Sequence, residues 1–329
     1  TMTQGNNFFY SLQHFTEKVL TIRRAKLRVK KEKQRAKNPI LDWIEAFIWA
    51  AGMVLIINQY LFQAYQIPSG SMIDTLLIGD RIFVNKLIYG PELLPGLGKL
   101  PSPVKPQRNQ VIIFENPSYI SRGPAFDVLQ RVLYMLTLSL VDIDRDENGQ
   151  PKAHFLIKRA VGMSGDILTM KDGEMYFLFP GENRVVAERD YLKANKTEHT
   201  INRLMDVSAY PALEAAGRMA AYSDLGLQVP SYLQEQAKNV GNIQYPDYLD
   251  HERSRISVLQ AANPQDRRYT MLSARFRLGW YVPEGRIFPM GDNRDNSRDA
   301  RYFGAVRLTK VLGQGAIKYW PLSRFGVIK

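Results

Sequence analysis

The sequence predicts a mainly β domain carried behind one N-terminal transmembrane helix and interrupted by an α-rich insert. Three observations predict it. The stretch Trp43 to Phe62 is apolar and about 30 Å long as a helix, enough for a hydrocarbon core. Residues 65–180 and 282–329 hold short β-branched and apolar runs separated by turn residues. Residues 181–281 have a different texture, with helix-opening Ser, Asp and Pro and helix-stopping Gly and Pro. The expected division is a basic cytoplasmic segment over 1–42, a transmembrane helix over 43–64, the β domain over 65–180 and 282–329, and a partly helical insert over 181–281.

Composition supports a folded chain of one large domain or two ordinary ones. Its 329 residues are 45% apolar, too rich for disorder. It has no cysteine, which excludes disulfides, thiolate catalysis, Cys-built zinc sites and iron–sulfur clusters. The formal net charge is +12, and residues 1–37 carry ten Lys/Arg against Glu17 and Glu32. Without aromatic interleaving or a groove-reading motif, this arm does not read as a nucleic-acid binder. Placed before an apolar segment, it reads as a cytoplasmic flank, which puts everything after Phe62 outside.

The span W-I-E-A-F-I-W-A-A-G-M-V-L-I-I-N-Q-Y-L-F keeps its polar residues near its ends, Glu45 on one side and Asn58-Gln59 on the other. Trp43, Trp49, Tyr60 and Tyr65 resemble interfacial anchors. A cleaved signal peptide is not expected, because the basic region is too long and A-Y-Q-I-P-S is no clean small-x-small site. Next comes Q-I-P-S-G-S-M-I-D-T over 66–75, where Pro68 and Gly70 shape a turn carrying Ser69 and Ser71. Ser71 lies nine residues past Phe62, within about 30 Å even if fully extended. Leu76 to Ile88 reads as turn and strand.

Gly90 to Pro106 reads as loop, Gln110 to Phe114 as strand and Asp142 to Gln150 as acidic loop. Val128 to Val141 is apolar apart from Arg131 and too short to span. It reads as a core helix, with a helix lying on the membrane as the alternative. Phe155 to Val161 is a strand whose period places Leu156, Lys158 and Ala160 on one face. A lysine there either snorkels or is desolvated. Lys171-Asp172-Gly173 is a hairpin signal between Ile167–Met170 and Glu174–Phe179. In the insert, helices are expected from Ser208 to Tyr222, from Pro230-Ser231 to Gly241, and from Asp250 to Pro264.

Gly291 to Gly304, G-D-N-R-D-N-S-R-D-A-R-Y-F-G, is dense in Asp, Asn and Arg. It fails the EF-hand pattern, since Arg294 occupies a ligand position, and by composition it reads as a self-satisfied polar loop. No metal or other cofactor is expected.

P-S-G-S-M at 68–72, I-K-R-A-V-G-x-x-G-D at 157–166 and G-D-N-R-D-N-S-R-D-A-R at 291–301 resemble the ordered boxes of bacterial type I signal peptidases, membrane-anchored proteases with a Ser/Lys dyad. The resemblance covers the membrane segment and roughly 66–90, 108–114, 155–180 and 282–320. It implies a signal-peptidase-like β fold. It makes Ser71 the nucleophile, Lys158 the general base, and the Ser69 hydroxyl with the Ser71 N–H the oxyanion hole. Ser297 would orient the lysine amine, Asp299 and Arg301 would brace the site, and Tyr65, Ile67, Leu76 and Ile157 would line shallow substrate pockets. The implied activity is removal of signal peptides from exported preproteins, after a small residue in a small-x-small pattern. The implied location is the bacterial cytoplasmic (inner) membrane, single-pass. The implied partners are preprotein signal peptides, the lipid bilayer and the secretion translocon, with no nucleic acid. The sequence departs from the family pattern at Asp74 and Ser164, each in place of proline, at Asn109-Gln110, and at Ala300. A catalytically inactive, membrane-anchored binding homologue is the alternative, and intact Ser71 and Lys158 speak against it.

The chemistry is consistent with that resemblance. A serine hydroxyl is a weak nucleophile until a base takes its proton. None of His14, His154, His199 and His251 lies in a box. A free lysine at about 10.4 is protonated, and bringing it to about 7–8 by burial requires roughly 4 kcal/mol from the fold.

Overall fold

The computed structural model describes residues 4–36, 38–93, 98–102, 104–147, 149–197 and 199–329. In the first helix it describes side chains at 13–29 only, so the side chains of Lys30, Lys31, Lys33 and Arg35 of the basic arm, and Lys37 altogether, lie outside what is described. Parts of the expected loops at 90–106 and 142–150 lie outside them too. The chain forms two compact units, Thr1–Val54 and Leu55–Lys329.

The first unit holds helix α1 (Gln4–Ala36) and most of α2 (Pro39–Ile56). Helix α1 is built largely from Lys, Arg, Leu, Gln and Ala, all strong helix formers. The helix Pro39–Leu61 is long and apolar enough to cross a membrane, and no part of its most apolar stretch is buried. It begins four residues before the expected Trp43, because Asn38 caps it, accepting from Ile40 N at 3.0 Å, and Pro39 suits the first helical position. Its end also differs from the expected residue 64. A π turn at Ile57–Leu61 passes into strand β1 (Phe62–Gln66).

The second unit is mainly β. Its other strands are β2 (Arg81–Asn85), β3 (Val111–Glu115), β4 (Phe155–Gly162), β5 (Ile167–Lys171), β6 (Glu174–Leu178), β7 (Val185–Ala187), β8 (Trp280–Tyr281), β9 (Arg286–Met290), β10 (Val306–Arg307), β11 (Val311–Trp320) and β12 (Gly326–Val327). Among the described residues, the larger sheet has eight strands in the order β1-β2-β11-β3-β4-β9-β10, with β12 beside β11, and the smaller runs β7-β6-β5-β8. Strand β3 is buried on both faces. Val111 and Ile113 join Tyr65, Ile67, Met72, Leu76, Ile82 and Val84 in one core, while Ile112 and Phe114 join Ala160, Ile287 and Val311 in another. A third core, with Val161 and Phe288 from the larger sheet and Leu168, Phe177 and Trp280 from the smaller, joins the two sheets. The hairpin at Asp172-Gly173 occurs as expected, with positive φ at both residues and Lys171 paired to Glu174.

Helices α3 (Pro124–Leu136), α4 (Glu188–Ala194), α5 (Tyr210–Asp224), α6 (Ser231–Gln236), α7 (Tyr248–Ala262), α8 (Arg267–Leu278) and α9 (Ala300–Phe303) complete the unit. The cap of α7 is Asp247 rather than the expected Asp250, because the Asp247 carboxylate accepts from Leu249 and Asp250 N–H groups. Helices α4 and α8 were not expected. Helix α5 passes so close to α7 that a Cβ on Gly217 would lie 2.3 Å from the His251 carbonyl oxygen. The expected core helix at 128–141 is different in kind: α3 ends at Leu136, and Val128, Leu129 and Leu136 stay exposed.

Candidate active site

Ser71 sits in a short 3₁₀ turn, Gly70–Met72, opened by extended Ser69. Lys158 lies in the middle of β4, paired with Ile112 of β3. The two meet: Lys158 Nζ donates to Ser71 Oγ at 2.6 Å and to its neighbour Ile157 O at 3.0 Å. Burial pushes the Lys158 amine down from its ordinary 10.5 to about 8, against the nearby Asp299 and Asp292 charges, which favour the ammonium. Burial alone does not single out a base. Lys86 is also held at about 8 by burial, but its amine meets Gln63 Oε1 at 3.1 Å and Asn58 O at 3.4 Å, neither of them a nucleophile. Geometry distinguishes Lys158.

The loop after β9 holds the serine turn from behind. Asn293 N donates to Ser71 O at 3.1 Å, and Asn293 Nδ2 donates to Gly70 O at 2.9 Å. Gly291 is needed for this approach, since a Cβ there would come within 2.5 Å of Ser71 O and 2.3 Å of Ser297 Oγ. Beneath it lies an ion pair whose side chains are both fully buried, Arg159 with Asp292 at 2.7 Å. Thr75 Oγ1 donates to Asp292 Oδ2 at 2.6 Å, tying the chain just after the nucleophile to the same carboxylate. Asp299 accepts from Ser297 Oγ at 2.9 Å, Gly291 N at 3.0 Å and Arg301 Nε at 2.9 Å. Burial would raise Asp299, but Arg301 and these N–H donors outweigh it and hold the carboxyl below its usual range.

The residues singled out in the sequence therefore divide. Ser69 Oγ donates to Ser71 Oγ at 3.5 Å, and Ser69 is exposed. Ser297 is near the turn, but its hydroxyl donates to Asp299 rather than meeting the lysine amine. Tyr65, Ile67 and Leu76 do not line an open pocket: they face inward on β1 and the turn, at 3%, 3% and 0% exposure, and belong to the first core. Ile157 is half-buried at the edge of that core. Tyr134 of α3 and Phe155 close over Tyr65, with ring centres 6.0 and 5.7 Å away. Asp74 is exposed, and the Ile73–Asp74 peptide is cis.

Sequence reasoning missed Asn293, Asp292, Arg159 and Thr75 as bracing residues. The density of 291–301 was the signal for Asp292 and Asn293. It gave no sign that residues 188–203 take part. Glu188 of α4 forms a buried ion pair with Arg294, Asp295 accepts from Arg203 Nε at 3.1 Å, and Asn202 N donates to Asp292 O at 2.8 Å. Among the described residues, no His/Cys/Asp/Glu group is arranged to hold a metal.

Comparison with known proteins gives the family. The family described as "Signal peptidase, peptidase S26" matches residues 40–320. Signal peptidase I of Buchnera aphidicola subsp. Acyrthosiphon pisum is 26% identical, over 88% of this chain and 77% of that one. Signal peptidase I of Haemophilus influenzae is 25% identical, over 89% and 74%. The crystal structure of a signal peptidase I from Enterococcus faecalis V583 aligns at 19% identity over 64% of this chain and 97% of that one, with a TM-score of 0.24, too low to bear on the fold. The apolar helix near the N-terminus fits the anchor of such an enzyme. The chain belongs to the signal peptidase family of serine endopeptidases, peptidase S26.

Proposed function

We propose that this chain removes signal peptides with a Ser71/Lys158 dyad, cleaving after a small residue that has another small residue two positions earlier. The 2.6 Å contact between Lys158 Nζ and Ser71 Oγ carries the reading. A neutral amine has a lone pair, so the same contact lets the serine O–H donate to the nitrogen. As Oγ attacks the scissile carbonyl carbon, its proton passes to Nζ. The tetrahedral oxyanion is met by the Ser71 N–H and the Ser69 hydroxyl, and the ammonium then protonates the leaving amine. Water, deprotonated by the same lysine, hydrolyses the acyl-enzyme. Asp299 and Arg301 brace the lysine's surroundings, and Ser297 serves the amine through a small rotation of its hydroxyl. Tyr65, Ile67, Leu76 and Ile157 contact substrate side chains only if the cover formed by Tyr134 and Phe155 shifts.

The same proposal takes 65–180 and 282–329 as the catalytic domain and 181–281 as its insert. The excess of Lys/Arg before the apolar helix puts the N-terminus in the cytoplasm and the catalytic domain outside the bacterial inner membrane. Sharing the bilayer with the apolar part of a signal peptide raises the effective concentration of the scissile bond. Preproteins arrive from the secretion translocon.

Two outcomes test the chemistry. Ser69→Ala is expected to lower kcat on a synthetic signal peptide by about 10²- to 10³-fold, with KM little changed, as for loss of one oxyanion donor. An unchanged kcat removes Ser69 from the hole. The reactive amine is neutral only above its pKa of about 8, so kcat/KM should rise with pH to a limb near that value. At pH 6 it should be about a hundredfold below the plateau. A limb near that of free lysine contradicts a buried base.

A further inference from the structure

We infer that α3 and the turn after it form a second, peripheral contact with the lipid bilayer, distinct from the apolar span. The observation is an inverted helix. Its apolar residues Val128, Leu129, Val132 and Leu136 follow one another at helical spacing and face outward or sit at the rim, and Leu138 and Leu140 extend the exposed patch. The polar residues point the other way. Gln130 is 2% exposed and donates to Asp142 Oδ1 at 2.9 Å. Asp127 accepts from Ser121 Oγ at 2.5 Å and Tyr119 OH at 3.3 Å, and Arg131 pairs with Glu92 at 3.0 Å. A helix facing water would put Leu129, at 52% exposure, inside and Gln130 outside. Here the solvent-side face is the apolar one, which suits hydrocarbon.

The helix is also joined to the end of the span within the same compact unit. Glu92, the partner of Arg131, accepts through its backbone oxygen from Gln59 Nε2 at 3.0 Å, and Leu93 O accepts from Tyr60 OH at 2.8 Å. Gln59 and Tyr60 lie in the last turn of the candidate span, Pro39–Leu61. Ile57, Leu61 and Phe62, at that turn, are themselves exposed and apolar. One segment, Glu92-Leu93, thus receives both the emerging span and α3, and the occupant to which this patch is continuous is lipid. The inference rests on the membrane-anchor reading of the span.

Because the chain has no cysteine, single labels test it directly. Leu129→Cys and Leu140→Cys, each carrying an NBD fluorophore, are reconstituted as the full chain in phosphatidylcholine/phosphatidylglycerol vesicles. Trp49→Cys in the span and Tyr232→Cys on α6 serve as references. Spin-labelled lipid is expected to quench the labels at 129 and 140 several-fold more than the label at 232, and aqueous iodide several-fold less. Iodide access at 129 and 140 equal to that at 232, with lipid quenching at 49 intact, overturns the inference and leaves the anchor standing. Shielding of 129 and 140 from both quenchers means that protein covers them, a second copy or a substrate, and also overturns it. Loss of lipid quenching at 49 removes the anchor reading itself, and the inference with it.

Discussion

Lys158→Met is expected to lower turnover of a signal-peptide substrate by roughly 10⁴- to 10⁶-fold, the loss seen when one member of a nucleophile–base unit is removed. Methionine keeps the apolar stem that packs in β4 and removes only the amine that meets Ser71 Oγ at 2.6 Å. Folding should survive. The native fold holds the Lys158 amine at about 8 instead of 10.5, so its burial disfavours the charged form by about 3 kcal/mol. The sign follows: between those two values the unfolded chain binds the extra proton, so this group's unfavourable contribution is largest below pH 8 and fades as the pH rises to 10.5. The variant should therefore be at least as stable as the parent at neutral pH. The checks are single-turnover cleavage by the full chain in detergent and a denaturant melt on the same sample. Turnover within tenfold of the parent, with an unchanged melt, would mean that another group takes the serine's proton.

Asp292→Ala is expected to destabilise the protein by about 3–5 kcal/mol, because it leaves a buried guanidinium without its partner. Both side chains of the Arg159–Asp292 pair are fully buried. The effect reaches the reaction, since Asp292 also accepts from Thr75 Oγ1, four residues past the nucleophile. Replacing both partners, Arg159→Met with Asp292→Leu, should restore most of the stability, as apolar groups fill the space without stranding a charge. It should not restore turnover, because the Thr75 hydroxyl loses both Asp292 and Arg159. Urea unfolding measures the first effect and initial rates the second. A single variant as stable as the parent would show that the Asn109 and Lys329 carbonyl oxygens, which also accept from Arg159, suffice to hold the guanidinium.

Residues 188 and 203 matter to the same region. The Glu188–Arg294 pair and the Arg203–Asp295 bonds grip the loop from which Asn293 holds Ser71 and Gly70. The serine turn is thus held by β4, by the loop after β9 and, at one remove, by a segment outside the three boxes.

What few-residue chemistry decides could be read along the chain. The apolar span, the strands flanking Asp172-Gly173, the helices after Pro230 and before Pro264, and the three boxes were all legible locally, because turn geometry, capping and side-chain period are set within a few positions. The family followed from the order of the boxes. Whatever depends on distant partners emerged with the folded chain. Ser71 and Lys158 are 87 residues apart and Thr75 and Asp292 are 217 apart, and no local pattern carries their distance. The β1-β2-β11-β3-β4-β9-β10 order and the burial of Tyr65, Ile67 and Leu76 were equally hidden. So was the outward apolar face of α3: periodicity marks which residues share a face, but which face turns inward depends on what the rest of the chain packs against it.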